Sequence, residues 1–311
     1  MDGGTGRAVD QASDSLRTDV GRLTLEERKK LAEWLDDPLN RWYRYPAARA
    51  LLGLLGGLPL RPDHITYIHM SFGVLAAVLV AYGSPWALVA AFVSLEIRDV
   101  LDCYDGVLAR AKKLSSPRGR ALDEAADAMS FIALSIGLAI YGSRHFPDIP
   151  SELYAAFAIF GIIVGAFCAH GCDFYKRRLG SALKEGKDGI EEELEIKRVA
   201  ARAKKAGPLT EWGIWVDRWQ LVYWETKYQS GDPVKTVLER AHRPGVQLMT
   251  RFVGLMSWDN GIFLIHLGLL TGYVLESWAL AVAYGLTMIV MGRVFATLAL
   301  GGEVRAEEVE A

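Results

Sequence analysis

The chain has 311 residues and a formal charge of −2, because 35 Lys and Arg are balanced by 37 Asp and Glu. This balance argues against a protein that binds nucleic acid through a basic field, since such binding needs a clustered excess of cations. Three cysteines are too few for a disulfide scaffold and fit a reducing compartment. The polar start Met-Asp-Gly-Gly lacks the basic and apolar regions of a secretory signal, so we expect no cleaved signal.

Long uncharged stretches indicate a membrane protein, because a transmembrane helix needs about 20 predominantly apolar residues. Residues 65–95 carry no Asp, Glu, Lys or Arg and contain a Gly83-Ser84-Pro85 turn, which predicts two helices. One further helix is predicted in each of residues 129–143, 153–172, 260–275 and 277–292. The sequence therefore predicts an all-α, polytopic membrane protein with six transmembrane helices.

The distribution of Lys and Arg predicts which side of the membrane each loop faces. Ten of them precede the first span, five lie at residues 110–120 in the loop between spans two and three, and sixteen lie between spans four and five. The three opposite loops together contain only Arg144. Because cytoplasmic loops are enriched in Lys and Arg, both termini and the two charged loops are expected in the cytoplasm. In a bacterium the protein would lie in the inner or plasma membrane, and in a eukaryote in the endoplasmic reticulum.

Composition separates a membrane domain from charged cytoplasmic parts. The predicted parts are a cytoplasmic N-terminal segment 1–61, a six-helix domain 62–300 interrupted by a cytoplasmic helical insertion 173–257, and a cytoplasmic tail 301–311.

Three helices are predicted in the cytoplasmic parts. Residues 39–60 mix aromatic and leucine side chains with arginines, as in an amphipathic helix that lies along the membrane before the first span. Residues 190–205 predict a solvated surface helix. Trp212, Trp215 and Trp219 then share one helix face, which either lies at the lipid headgroups or packs against another cytoplasmic helix.

Four aspartates occur in two pairs where the second predicted span ends and the third begins. Asp102 and Asp105 are three positions apart, and Asp123 and Asp127 are four apart, so each pair shares one face of its helix. A short antiparallel connection would bring the two faces together. Carboxylates in a low-dielectric site repel one another unless they are neutralised. An oxygen-rich set without His or Cys suits Mg²⁺ or Mn²⁺, and four carboxylates suffice for two ions.

Small and basic residues near these aspartates predict a place for a phosphorylated ligand. Gly106 would let a flat base or a diphosphate approach the backbone, and Gly119 would let the two helices or a nucleotide come close. Arg110 can bind phosphate oxygens with two parallel hydrogen bonds. The alternative is a structural ion-pair network of the aspartates with Arg98, Arg110 and Arg120, although charges within membrane helices are rarely structural.

The run Asp-x2-Asp-Gly-x2-Ala-Arg-x8-Gly-x3-Asp-x3-Asp begins at Asp102 and ends at Asp127. It resembles the signature of the CDP-alcohol phosphotransferase family at every fixed position. The likeness covers roughly residues 62–140, since Pro62-Asp63-His64-Ile65-Thr66 is similar to the Pro-Asn-x-x-Thr that opens the family's first helix, with Asp in place of Asn. The family core also has six spans, but the insertion is longer than in its compact bacterial members.

The resemblance implies an enzyme that binds a CDP-linked donor at the cytoplasmic face of the membrane, where an acceptor hydroxyl attacks the β-phosphorus and CMP leaves. A homodimer is implied as well. The residues implied to hold the metal ions are Asp102, Asp105, Asp123 and Asp127, of which Asp127 would also be the general base. Those implied to bind the nucleotide are Gly106, Arg110, Gly119 and Thr66.

The identity of the donor separates two groups within this family. One group uses CDP-diacylglycerol and a water-soluble alcohol, and the other transfers phosphocholine or phosphoethanolamine from a CDP-alcohol to diacylglycerol. In the second group a histidine base commonly follows the third aspartate, where this chain has Glu124. The sequence therefore favours CDP-diacylglycerol as donor, in phospholipid biosynthesis. A membrane ion carrier is a more remote alternative, because a carrier is expected to place its polar groups near mid-membrane.

Charged residues beside the motif are candidates for binding the acceptor. Glu96, Arg98 and Asp99 precede it on the same helix, and they either line an acceptor pocket or pair with one another. Lys176 and Arg177 follow the fourth span, where they either bind an anionic acceptor or anchor the span at the cytoplasmic side.

Overall fold

The computed structural model describes residues 23–191, 219, 222–228 and 231–301, and these residues are helical apart from short connections. No β-strand occurs among them, so the prediction of an all-α protein is confirmed. A 3₁₀ turn at Glu33–Leu35 and a π-helical turn at Asn40–Arg44 accompany the α-helices. The α-helices are α1 Leu25–Ala32, α2 Tyr45–Leu55, α3 Pro62–Tyr82, α4 Pro85–Ala111, α5 Pro117–His145, α6 Ser151–Glu185, α7 Pro233–Arg240, α8 Pro244–Leu255, α9 Trp258–Thr271 and α10 Val274–Leu300.

The turn predicted between the first two spans is present. Helix α3 ends at Gly83, whose φ of 78° lies in the left-handed region that favours glycine. The Ser84 side chain accepts a hydrogen bond from the backbone of Ala87, and Pro85 occupies the first turn of α4. The sequence Gly83-Ser84-Pro85 thus ends one helix and begins the next.

Four helices in the described part of the chain are long and apolar enough to cross a membrane: α3, residues 122–145 of α5, α6 and α10. A fifth span results if α8 and α9, which a short break separates, are counted together as one bent span. Helix α4 fails this criterion because its second half carries several charged residues, and α9 has only 14 residues. Several apolar helices thus make this an integral membrane protein, with four or five spans by this criterion.

Some predicted helix boundaries are wrong. The fifth predicted span runs to residue 275, but α9 ends at Thr271 because Gly272 adopts a φ of 82° and terminates it. Helices α6 and α10 extend well beyond the apolar stretches that predict them. Hydropathy marks the apolar part of a helix, whereas backbone hydrogen bonding continues into the charged turns that follow.

The chain forms two compact units. One comprises Asp36–His170 and Leu255–Val290. The other comprises the described parts of Met1–Leu35, Gly171–Gly254 and Met291–Ala311, and so includes the described residues of the predicted insertion up to Gly254. The predicted surface helix lies almost entirely outside the described residues, as do Trp212 and Trp215. Of the same tryptophan-rich stretch, Trp219 is exposed, whereas Trp224 is fully buried.

Helix α3 packs against both α4 and α5 in the first unit. Its contact with α5 is close, since a Cβ at Gly137 would come within 3.1 Å of the Ala77 Cα and closer still to its carbonyl oxygen. Small residues allow such approach between membrane helices. Helix α2 packs on α4 through a cluster that contains Ala48, Tyr104 and Leu108. A helix is therefore present within the predicted juxtamembrane segment 39–60.

Candidate active site

The two aspartate pairs of the motif converge, as predicted, and a histidine joins them. His69 on α3, Asp102 on α4, and Asp123 and Asp127 on α5 each offer a ligand atom, and these atoms all lie within 4.8 Å of one another. His69 is completely buried. Its Nε2 lies 3.5 Å from Asp105 Oδ2, 3.6 Å from Asp123 Oδ1 and 4.0 Å from Asp102 Oδ1. Three neighbouring helices thus contribute to one cluster.

Thr66 holds Asp105 at the buried side of this cluster. The Thr66 hydroxyl on α3 donates a hydrogen bond of 2.7 Å to Asp105 Oδ2 on α4. Thr66 is itself buried, one helical turn before His69. Thr66 is a predicted contact of the nucleotide, and the structure places its hydroxyl on a carboxylate. The hydrogen bond fixes the orientation of Asp105, and the contact with the nucleotide stays a prediction.

The four carboxylates differ in how far they are open to solvent. The exposed fraction of the side chain is 8% for Asp105, 27% for Asp102, 37% for Asp123 and 45% for Asp127. Asp105 therefore forms the floor of the cluster, and Asp127 forms its open edge.

A buried arginine contacts the carboxylate at this open edge. One Nη of Arg98 bonds to Asp127, and the other donates to Asp99 Oδ1 at 2.8 Å. Asp99 also accepts a bond from Arg44, which precedes α2, so that it lies between two guanidinium groups. Arg98 and Asp99 thus pair with each other and with their neighbours, and the role of Arg98 toward the acceptor stays a prediction.

A second polar chain lies beside the first. Glu96 accepts a hydrogen bond from the Tyr43 hydroxyl, and its other oxygen lies 2.7 Å from Nδ1 of the buried His266 on α9. Burial and the bond to Glu96 raise the pKa of the Tyr43 phenol above its usual range, so it remains protonated and donates. Asp259, in the first turn of α9, interacts electrostatically with Asp102 and Asp127. Carboxylates thus outnumber cationic side chains in this region.

The remaining predicted residues differ in how they relate to the cluster. A Cβ added at Gly106 would meet only the Arg110 guanidinium, at 3.5 Å, so these two residues are neighbours on α4 with space around them. Gly119 donates its backbone N–H to Ser116 and lies in the first turn of α5. Lys176 and Arg177 belong to the other compact unit, where Arg177 pairs with Asp173 at 2.7 Å.

The donor atoms fit a divalent cation. Oxygen ligands suit Mg²⁺ and Mn²⁺. Asp123 Oδ1 and both ring nitrogens of His69 are buried and have no hydrogen-bond partner among the described residues. Buried polar atoms without partners are costly, and a cation among them would satisfy Asp123 Oδ1 and one nitrogen of His69 while neutralising the carboxylates.

Sequence reasoning missed His69, Arg44 and Asp259. His69 could have been found, because it follows Thr66 by three positions and therefore shares its helix face. Arg44 and Asp259 are far from the motif in sequence, and nothing in their local pattern marks them.

Comparison with family models gives a match over the segment that carries the motif. A family model for CDP-alcohol phosphatidyltransferase matches residues 60–187, which include all four aspartates and His69. A comparison with curated proteins gave no match. The family consists of phosphotransferases that transfer a phosphate group from a CDP-alcohol to an acceptor and serve phospholipid biosynthesis. The segment 60–187, which carries the motif and the converging aspartates, is thus similar to the CDP-alcohol phosphatidyltransferase family of enzymes.

Proposed function

We propose that the chain transfers a phosphatidyl group from CDP-diacylglycerol to the hydroxyl of a water-soluble alcohol. The acceptor oxygen forms a bond to the β-phosphorus of the donor. The bond between that phosphorus and the oxygen bridging to the α-phosphate breaks, and CMP leaves with the electron pair. The hydroxyl proton passes to Asp127.

The position of Asp127 is the observation that carries this proposal. It is the most open carboxylate of the cluster, and Arg98 contacts it from the buried side. A general base must reach the proton that it removes, and a fixed partner reduces the orientations open to it. Asp127 therefore acts through proximity, and Arg98 orients it. This assigns Arg98, an acceptor candidate from the sequence, to the positioning of the base.

The donor diphosphate is proposed to lie at the other carboxylates. A bound divalent cation supplies positive charge to the diphosphate oxygens there, and a second ion is proposed because four carboxylates are present. The proposed protein ligands of these ions are Asp102, Asp105, Asp123 and Asp127. Arg110 is proposed to contact the phosphates, and Gly106 leaves space beside it for the nucleotide.

The choice of CDP-diacylglycerol as the donor rests on the residue that follows Asp123 and on its surroundings. The residue after Asp123 is Glu124, whose side chain is exposed on α5, whereas Asp127 carries the contact with Arg98. Transfer of phosphocholine or phosphoethanolamine from a CDP-alcohol to diacylglycerol is the second candidate. An ion carrier is a third, which flux of the metal into liposomes without nucleotide would reveal.

The membrane arrangement is part of the proposal. We infer six spans, with α4 and α9 completing the four helices that meet the length and hydropathy criterion. The excess of Lys and Arg in the predicted cytoplasmic loops supports an active site at the cytoplasmic face. Lys176 and Arg177 remain proposed contacts for an anionic acceptor, and the active form is proposed to be a homodimer.

Release of CMP by the purified protein tests the function. CDP-diacylglycerol is offered with serine, glycerol 3-phosphate, inositol or inositol 1-phosphate in Mg²⁺ or Mn²⁺, and CDP-choline and CDP-ethanolamine are offered with diacylglycerol. We expect acceptor-dependent CMP only with CDP-diacylglycerol, and its loss in Asp127→Asn. Activity only with the soluble CDP-alcohols would overturn the donor assignment. Folded, metal-loaded protein without CMP release in any combination would count against the reaction itself.

A further inference from the structure

His69 is the one member of the ligand cluster that the motif does not specify. Its side chain has no exposed surface, and neither ring nitrogen has a hydrogen-bond partner among the described residues. A buried imidazole without partners is unusual, because buried polar groups are normally hydrogen-bonded. The ring therefore faces the carboxylates without being satisfied by them.

The distances around Nε2 distinguish a metal ligand from a hydrogen-bond donor. Three carboxylate oxygens lie 3.5–4.0 Å away, which is longer than an ordinary hydrogen bond. Ligand atoms about 2.1 Å from one ion lie about 3.0 Å apart when adjacent and about 4.2 Å apart when opposite. The separations from Nε2 to Asp123 Oδ1 and Asp102 Oδ1, 3.6 and 4.0 Å, fall within that range. The distances from Nε2 to these oxygens are therefore those expected between two ligand atoms of the same ion.

We propose that Nε2 of His69 is a direct ligand of the divalent cation held by Asp102, Asp123 and Asp127. The inference rests on the proposed function, because it concerns the same metal site. It adds a nitrogen to a set that the sequence predicts to consist of oxygen alone. Imidazole suits transition metals, whereas Mg²⁺ prefers oxygen and retains water. The site therefore binds Mn²⁺ in preference to Mg²⁺.

Pulsed electron paramagnetic resonance of bound Mn²⁺ tests this directly, since it detects nitrogen bonded to the ion without any substrate. The wild-type protein is expected to show such a nitrogen coupling, and His69→Gln is expected to lose it. His64→Gln is the matched control, because His64 lies on the same helix but is exposed. The affinity for Mn²⁺ should fall about tenfold or more in His69→Gln, and the affinity for Mg²⁺ should fall less.

Two further variants keep the result decisive. Asp123→Asn should weaken Mn²⁺ binding whether or not His69 is a ligand, so unchanged binding in this variant would refute the metal site and the proposed function with it. Weakened binding in Asp123→Asn, together with a wild-type spectrum that lacks the nitrogen coupling, would overturn the role of His69 alone. Persistence of the coupling in His69→Gln would overturn it as well. His69→Asn replaces His69→Gln if the latter does not fold.

Discussion

Arg44 and Asp99 form an ion pair that joins the turn before α2 to the middle of α4, and both side chains are almost completely buried, at 2% and 3% exposed. Asp99 in turn contacts Arg98, which contacts Asp127. The open carboxylate of the active site is thus connected by three charged contacts to a residue that precedes the first membrane helix. Loss of one member leaves a buried charge without its partner.

Arg44→Met is therefore expected to destabilise the protein. Removal of one partner from a buried ion pair costs about 3–5 kcal/mol, because the remaining charge stays desolvated. Thermal unfolding in detergent measures the effect as a lower midpoint. Arg49→Met is the control, since Arg49 lies on α2 with an exposed side chain. Equal midpoints for the two variants would show that the pair does not support the fold.

Asp127→Asn is expected to lower the rate of CMP release about 10²- to 10⁴-fold at saturating metal, because an amide cannot accept the hydroxyl proton. Its fold should remain intact, which circular dichroism would verify. The matched control is Glu124→Gln, which makes the same change one helical turn earlier at an exposed position. A larger loss of CMP release in Glu124→Gln than in Asp127→Asn would show that Asp127 is not the general base.

Thr66→Val removes the donor that orients Asp105 while keeping the shape of the side chain. A buried acceptor deprived of its partner costs about 1–3 kcal/mol. Loss of an outer contact to a metal ligand weakens metal binding about 10- to 100-fold. Titration with Mn²⁺ measures this loss. In Thr271→Val the lost hydrogen bond is to Leu267 of the same helix, so metal affinity should not change. Unaltered affinity in Thr66→Val would exclude Thr66 from the site.

Gly137→Ala and Gly53→Ala should change stability in opposite directions. The added methyl group at Gly137 would collide with the backbone of Ala77 on α3, and overpacking of this kind costs about 1–3 kcal/mol. At Gly53 on α2 a Cβ meets nothing within 4 Å, so alanine should stabilise the helix by about 0.5–1 kcal/mol. The two unfolding midpoints test this, and a tolerated Gly137→Ala would mean that α3 and α5 can separate.

The aspartate pairs could be predicted from sequence because their geometry is local. Helical periodicity places Asp102 with Asp105 and Asp123 with Asp127, and a short connection leaves the two helices antiparallel. The same local signals predicted the turn at Gly83-Ser84-Pro85. The end of α9 at Thr271 was missed because a glycine within an apolar stretch predicts close packing as readily as a helix end.

The contacts around the aspartates could not be predicted, because they depend on how helices are rotated against one another. Glu96 and His266 are separated by 170 positions, and Arg44 and Asp99 by 55. A lone histidine in an apolar helix gives no indication of its partner, and Nδ1 of His266 pairs with a carboxylate of another helix. His69 differs because it shares a helix face with Thr66, and this shared face indicates which side chains lie near it.

The segment that matches the family, 60–187, contains every carboxylate of the ligand cluster but not Arg44, Asp259 or His266. A graft of that segment into another membrane scaffold would carry the cation ligands and leave Asp99 without Arg44 and Glu96 without His266. The graft would thus transfer the motif but not the side chains that pair with the charged residues around it. Two chains with identical motifs can therefore differ in the charge that their acceptor meets.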